Sequence, residues 1–187
     1  MLPHILSSVE CQRLVEEFEA STATQTEQEA FYQGSLGLYQ PQASLELVPR
    51  LQAILTPRFG ELEFENTYMR AYVRGSVLKI HTDRVGLDIT LSVCLEHNFE
   101  GVYPLWCSRK PFLGPWREDL PTYEPWVADA DAFELGVGDG VAMEGIRYPH
   151  WRDTFEQDAR AVYIFFHWRR RRPPITTAPV PPLDSDA

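Results

Sequence analysis

His81-Thr82-Asp83 places an imidazole and a carboxylate two residues apart. In extended chain such residues share a face, so this pair can grip one ion together. An H-x-D triplet arises by chance in many chains, and a third ligand is what gives it meaning. His150 is the candidate. Two imidazoles and one carboxylate on one face of a metal leave three positions open, the donor set that suits Fe(II) in oxygen chemistry. Thiolates or harder oxygen donors would select other metals. Arg160 adds a second element. Arg160, Val162, Ile164 and Phe166 share one face of the last strand pattern, and Ala161, Tyr163, Phe165 and His167 share the other. With both faces apolar, a central strand buried on both sides is expected. An arginine heading an inward stripe there must be paired, because an unpaired buried charge is strongly unfavourable. Its planar guanidinium suits a carboxylate held by two hydrogen bonds. That carboxylate is either an internal Asp or Glu at the strand end or belongs to a bound cosubstrate.

Both features need elements to hold them. Ser7-Ser8-Val9-Glu10 matches a capping box, and Cys11, Leu14, Val15 and Phe18 follow at helical spacing, predicting a helix to about Ala20. Val48, Leu51, Ile54 and Leu55 mark a second helix. Pro49, tolerated only in a first turn, suggests a later start than the apolar pattern, and Gly60 closes the helix. From Asn66 the period changes to that of a strand, with Tyr68, Arg70 and Tyr72 alternating with Met69, Ala71 and Val73. Further strands are predicted at Leu78–His81, Ile89–Leu95, Tyr103–Ser108, Phe133–Val137, Gly140–Glu144 and Arg160–Trp168. Helices followed by many short strands point to a mostly β sandwich or barrel with supporting N-terminal helices. The 187 residues fit one domain, 1–172, with a helical segment over 1–65 and a β-core over 66–172. Residues 173–187 read as a flexible Pro-rich tail. The stretch 114–132 lacks either period and carries Trp116 and Trp126. A loop that long in a small domain is usually functional.

Composition narrows the classes. The chain has 17 basic against 27 acidic residues, a net charge of −10, which disfavours nucleic acid as a partner. No apolar run approaches the roughly 20 residues of a membrane-spanning helix. Cys11, Cys94 and Cys107 are widely spaced and read as free thiols of a reducing compartment. The first residues lack the pattern of a secretory signal, so a cytoplasmic location is expected. Arg169-Arg170-Arg171-Arg172 reads either as a solvated run balancing nearby acids or as a handle for an acidic partner. His4, His97 and His167 have no partner at metal spacing, and are expected at the surface or in the core. No G-x-S-x-G, Walker loop or dinucleotide fingerprint is present.

Taken together, His81-x-Asp83, His150 and Arg160 ten residues later resemble the Fe(II)/2-oxoglutarate-dependent dioxygenases, and most of all their prolyl-hydroxylase-like branch. The strand Tyr68-Met69-Arg70-Ala71-Tyr72, the turn Gly138-Asp139-Gly140 and the segment Pro149-His150-Trp151-Arg152 extend the resemblance over about 66–168. It implies a double-stranded β-helix (jelly roll) in which His81, Asp83 and His150 ligate Fe(II) and Arg160 binds the far carboxylate of 2-oxoglutarate. Tyr72 falls near a tyrosine that assists there in prolyl hydroxylases, one residue out of register, with core packing as the alternative. Cys94 replaces a second family tyrosine and would leave space around the cosubstrate. Arg152 is expected to reach a substrate carboxylate or the pocket mouth, or else to form a surface ion pair. Trp116 and Trp126 are expected either to line a substrate groove or lid, or to pack over the sheet edge. The implied activity is hydroxylation of an amino-acid side chain, free or peptidyl, using O2 and releasing succinate and CO2. The substrate would be a small molecule or a peptide. The competing expectations are a non-catalytic jelly roll that binds a metal or ligand, and a cupin-type dioxygenase without 2-oxoglutarate.

Overall fold

The Ser7 hydroxyl accepts a hydrogen bond from the Glu10 N–H at 3.3 Å, and the Glu10 carboxylate accepts one from the Ser7 N–H at 2.8 Å. This reciprocal cap satisfies two of the donors that a helix start leaves orphaned. Helix α1, Ser8–Thr22, then buries Cys11, Leu14, Val15 and Phe18 on one face. The computed structural model describes residues 1–22, 36–114 and 124–171. The tail 173–187, Arg172 and Trp116 lie outside these residues.

Three more helices are short or capped by their sequence: α2, Gln42–Leu45; α3, Val48–Phe59; and α4, Glu124–Val127. Helix α3 starts at Val48 itself, since Pro49 sits in the first turn, where no intrahelical donor is needed. The strands are β1, Leu36–Tyr39; β2, Leu62–Val73; β3, Leu78–His81; β4, Ile89–His97; β5, Leu105–Ser108; β6, Ala130–Phe133; β7, Gly140–Met143; β8, His150–Arg152; and β9, Arg160–Arg170. Strands β1 and β8 are too short to show a period in the sequence. Strand β6 lies nearer the N-terminus than the predicted 133–137, because Leu135 packs from a loop rather than from a paired strand.

The strands form two antiparallel sheets, ordered β1-β2-β9-β4-β7 and β3-β8-β5-β6, which face each other as a jelly roll. Helices α1 and α3 cover the outer face of the larger sheet. Phe18, Leu51 and Leu55 pack there against Val162, Ile164, Phe166 and Trp168. Between the sheets a second cluster gathers Tyr72, Cys94, Tyr103, Leu105 and Tyr163. Strand β9 is central and covered on both sides, as its two apolar faces require. The face carrying Arg160 is the one covered by helices. Among the described residues no helix is long and apolar enough to cross a membrane.

The basic run also takes its place in this framework. Arg169 pairs with Glu63 at 2.8 Å, Arg170 with Glu144 at 2.7 Å and Arg171 with Glu61 at 3.9 Å. These arginines balance nearby acids along the strand ends, the first of the two readings of the run.

Phe18 is almost wholly buried in the helix–sheet layer. Phe18→Ala should lower the unfolding free energy by about 3–5 kcal/mol. Urea denaturation measures this as a lower midpoint at unchanged slope.

Candidate metal centre

Antiparallel pairing of β3 with β8 sets His81 opposite His150, so their rings come together at 4.3 Å between centroids. Each ring is fixed by its own strand. His81 Nδ1 lies 2.8 Å from the Lys79 carbonyl, and His150 Nδ1 lies 3.0 Å from that of Tyr148. A carbonyl only accepts, so both Nδ1 atoms carry the proton and both Nε2 atoms present lone pairs. Asp83 completes the set just beyond β3. Its Oδ1 lies 3.9 Å from His81 Nε2 and 3.7 Å from His150 Nε2. One donor atom from each of the three residues falls within 4.8 Å of the others. That spacing and donor chemistry fit a divalent transition metal held on one face.

The Asp83 carboxylate is held by groups that its motif does not contain. Thr90 on β4 donates its hydroxyl to Asp83 Oδ2 at 2.5 Å, and the Asp83 N–H donates to the Gly145 carbonyl at 2.9 Å. A Cβ on Gly145 would come within 1.8 Å of Asp83 Oδ2, so the carboxylate occupies the place of a side chain. Burial would by itself raise the Asp83 carboxyl, but the imidazoles of His150, His167 and His81 and the Thr90 hydroxyl outweigh it and hold the group below its ordinary value. Burial, and next the neighbouring His150, push His81 down. At neutral pH the centre is therefore an ionised carboxylate with a neutral His81, a state ready to bind a cation.

A cavity of about 340 Å³ opens over this centre. Its wall includes Asn66, Tyr68, Arg70, Phe165 and His167, with Tyr39 and Arg84 at exposed positions. His167 was expected at the surface or in the core. It is buried in the cavity wall, and its Nδ1–H donates to Asn66 Oδ1 at 2.8 Å. The guanidinium of Arg70 lies 5.0 Å from the Tyr68 ring centre and 5.9 Å from that of Tyr72. No sequence motif marked Asn66 or Gly145, and none gave Thr90 or Arg70 these roles. Alternation along the strands was the one available signal for Asn66, Arg70 and Thr90, and Gly145 lies in a turn with none.

Several expected positions are corrected. Arg160 does not line the cavity: its Nη2 reaches Glu96 at 2.6 Å and Glu19 of α1 at 2.8 Å, on the helix-covered face of the sheet. The register read from the sequence holds, but that face looks toward α1 and away from the space between the sheets. Arg152 is neither at the mouth nor on the surface. It is 0% exposed between the sheets, and its Nη1 donates to the Tyr103 carbonyl at 2.6 Å. Tyr72 and Cys94 are fully buried between the sheets too, in the cluster that adjoins the cavity through Leu78 and Leu105. Burial raises the Cys94 thiol to about 11, so it stays protonated. Trp126 packs edge-on against Phe112 in the cluster of Ile80 and Trp151, apart from the cavity, which is the packing alternative.

Removing the hydroxyl beside Asp83 tests this support. Thr90→Val, close in shape, should weaken Co(II) or Fe(II) binding by roughly 10- to 100-fold in a spectroscopic titration, the usual effect of losing a group that orients a ligand. Gly145→Ala should weaken it as well by displacing the carboxylate. Unchanged affinity in both variants would mean that Asp83 needs neither support.

No protein-family model matches the chain, and no curated protein matches it by sequence. Solved structures do match. HygX from Streptomyces hygroscopicus with nickel and 2-oxoglutarate bound is similar at a TM-score of 0.64 and 12% identity, over 90% of this chain and 81% of its own. The viral collagen prolyl hydroxylase of Paramecium Bursaria Chlorella virus-1, in complex with 2-oxoglutarate, is similar at 0.59 and 14%, over 91% and 94%. A Pseudomonas putida prolyl-4-hydroxylase is similar at 0.63 and 16%, over 91% of each chain. The chain therefore shares the fold of these solved structures.

Proposed function

We propose that the protein is a non-haem Fe(II)/2-oxoglutarate-dependent oxygenase that hydroxylates an amino-acid side chain, free or within a peptide. The observation that carries the reading is the convergence of two imidazole Nε2 atoms and one carboxylate oxygen within 4.8 Å, facing a cavity inside this fold. Fe(II) with 2-oxoglutarate and O2 would supply oxidation of a substrate C–H bond, coupled to decarboxylation of 2-oxoglutarate to succinate and CO2. His81, Asp83 and His150 would hold the metal from one side and leave the cavity side free. Thr90 and Gly145 keep the Asp83 carboxylate in place. A carboxylate at this position also fills the site that a halide ligand would need, which favours hydroxylation over halogenation.

The mouth supports a polar substrate. Tyr39 and Arg84 are exposed there, while Phe165, Leu87 and Met143 give the wall an apolar share. An amino acid or peptide segment offers both a carboxylate or carbonyl for the rim and an aliphatic side chain for the interior. A retired binding protein would have little use for three ligands that all keep their supporting hydrogen bonds.

Anaerobic addition of Fe(II) and 2-oxoglutarate should give a weak visible charge-transfer band, and admission of O2 should convert 2-oxoglutarate to succinate. Asp83→Ala should lose both. A wild-type protein that forms no band and no succinate is not an oxygenase of this kind.

A further inference from the structure

Arg152 is the residue that the site leaves unexplained. It is 0% exposed, yet its Nε and Nη2 atoms have no hydrogen-bond partner. Its Nη1 donates to a carbonyl, and no carboxylate is paired with it among the described residues. Its guanidinium carbon sits 3.8 Å from the ring centre of Tyr163, with those of Tyr103 and Tyr72 at 5.3 and 5.8 Å. Ring faces attract a cation, but they do not take its hydrogen bonds. The Tyr72 hydroxyl is likewise buried without a partner, and so is that of Ser92 on β4. Three groups that can donate hydrogen bonds are thus enclosed between the sheets without acceptors. A buried guanidinium in that state is stable only if an anion completes it.

Strand β8 gives the distance. His150, a metal ligand, and Arg152 are two residues apart on the same strand, which is ~6.7 Å. That is close to the reach of a five-carbon dicarboxylate whose other end is held at the metal. Leu78 and Leu105 belong to both regions: they line the cavity and pack in the cluster of Tyr72, Tyr103 and Tyr163. Leu78 is also the residue opposite Arg152 in the β3–β8 pairing.

We propose that Arg152, with the Tyr72 hydroxyl, is the internal anchor for the far carboxylate of 2-oxoglutarate, in place of Arg160. The assignment rests on the oxygenase reading above. It moves the anchoring cation from the final strand to the strand of the second metal histidine. The aromatic cage orients the guanidinium while leaving its Nε and Nη2 edge free for a bidentate carboxylate.

The test compares two ligands that both chelate a metal through a 2-oxo acid: 2-oxoglutarate, and 2-oxopentanoate, which lacks the far carboxylate. Each is titrated anaerobically against the Fe(II) protein, with the charge-transfer band as readout, in wild type, Arg152→Met, Arg152→Lys, Arg70→Met and Arg160→Ala. Wild type should prefer 2-oxoglutarate by at least about 30-fold. Arg152→Met should lose that preference while binding 2-oxopentanoate as before, and Arg152→Lys should keep some of it. Arg160→Ala should keep it in full. The ligand-free Arg152→Met protein should melt no lower than wild type, because it sheds an unpaired buried charge. An unchanged preference in Arg152→Met, or a preference lost in Arg70→Met alone, would overturn the assignment. So would failure of both Arg152 variants to fold, which would make the guanidinium a structural group. A wild-type band with both ligands at equal affinity would overturn the anchor but leave the oxygenase standing. No band with either ligand would overturn both.

Discussion

An ionised carboxylate enclosed between two sheets must be compensated on every side, and the open end of the barrel is organised around meeting that demand at Asp83. Strand β4 supplies the Thr90 hydroxyl, the turn after β7 supplies the Gly145 carbonyl and an absent side chain, and β3 and β8 supply two imidazoles. A charge in such a place is tolerated when its lone pairs are occupied and a cation is near. Each supporting group comes from a different strand or turn. The centre therefore exists only when both sheets are assembled, which ties metal affinity to the integrity of the whole barrel.

The rest of the interior divides according to which layer covers it. Helices α1 and α3 seal the outer face of the larger sheet with a largely apolar layer, in which Phe166 and Trp168 stack at 6.1 Å. The space between the sheets is different. It holds tyrosines, hydroxyls and guanidinium groups, and so has the means to bind a polar molecule. The outer face of the smaller sheet is covered by aromatic side chains. Trp106 and Trp151 stack there at 6.2 Å, and the Trp106 N–H donates to Asp153 at 2.9 Å. Those tryptophans keep water from the back of the strands that carry His81 and His150.

Arg160 shows how a correct local pattern can lead to a wrong assignment. Alternation along β9 places it with Val162, Ile164 and Phe166, and it does lie there. An inward-facing charge needs a carboxylate, and it has two, Glu96 and Glu19. The pairing ties the end of β9 to β4 and to α1. It is a strut of the fold, partly open to solvent, so its contribution to stability is modest.

Local sequence was enough for the start of α1, most of the strands and the grouping of His81 with Asp83, because each depends on residues close in the chain. A capping box spans four positions, a strand period spans two, and H-x-D is grouped by the pleat alone. Even the jelly roll was legible from motif order, in resemblance to a known family. What the sequence could not decide was which face of a doubly covered strand looks into the site. Both faces of β9 are apolar, so its period is silent about direction; the layer of α1 and α3 settles it. The same limit hid Arg152, since β8 is only three residues long and shows no alternation. Its burial among three tyrosines comes from β2, β9 and the segment before β5 meeting across the barrel, contacts set by packing between distant segments and by nothing local to the residue.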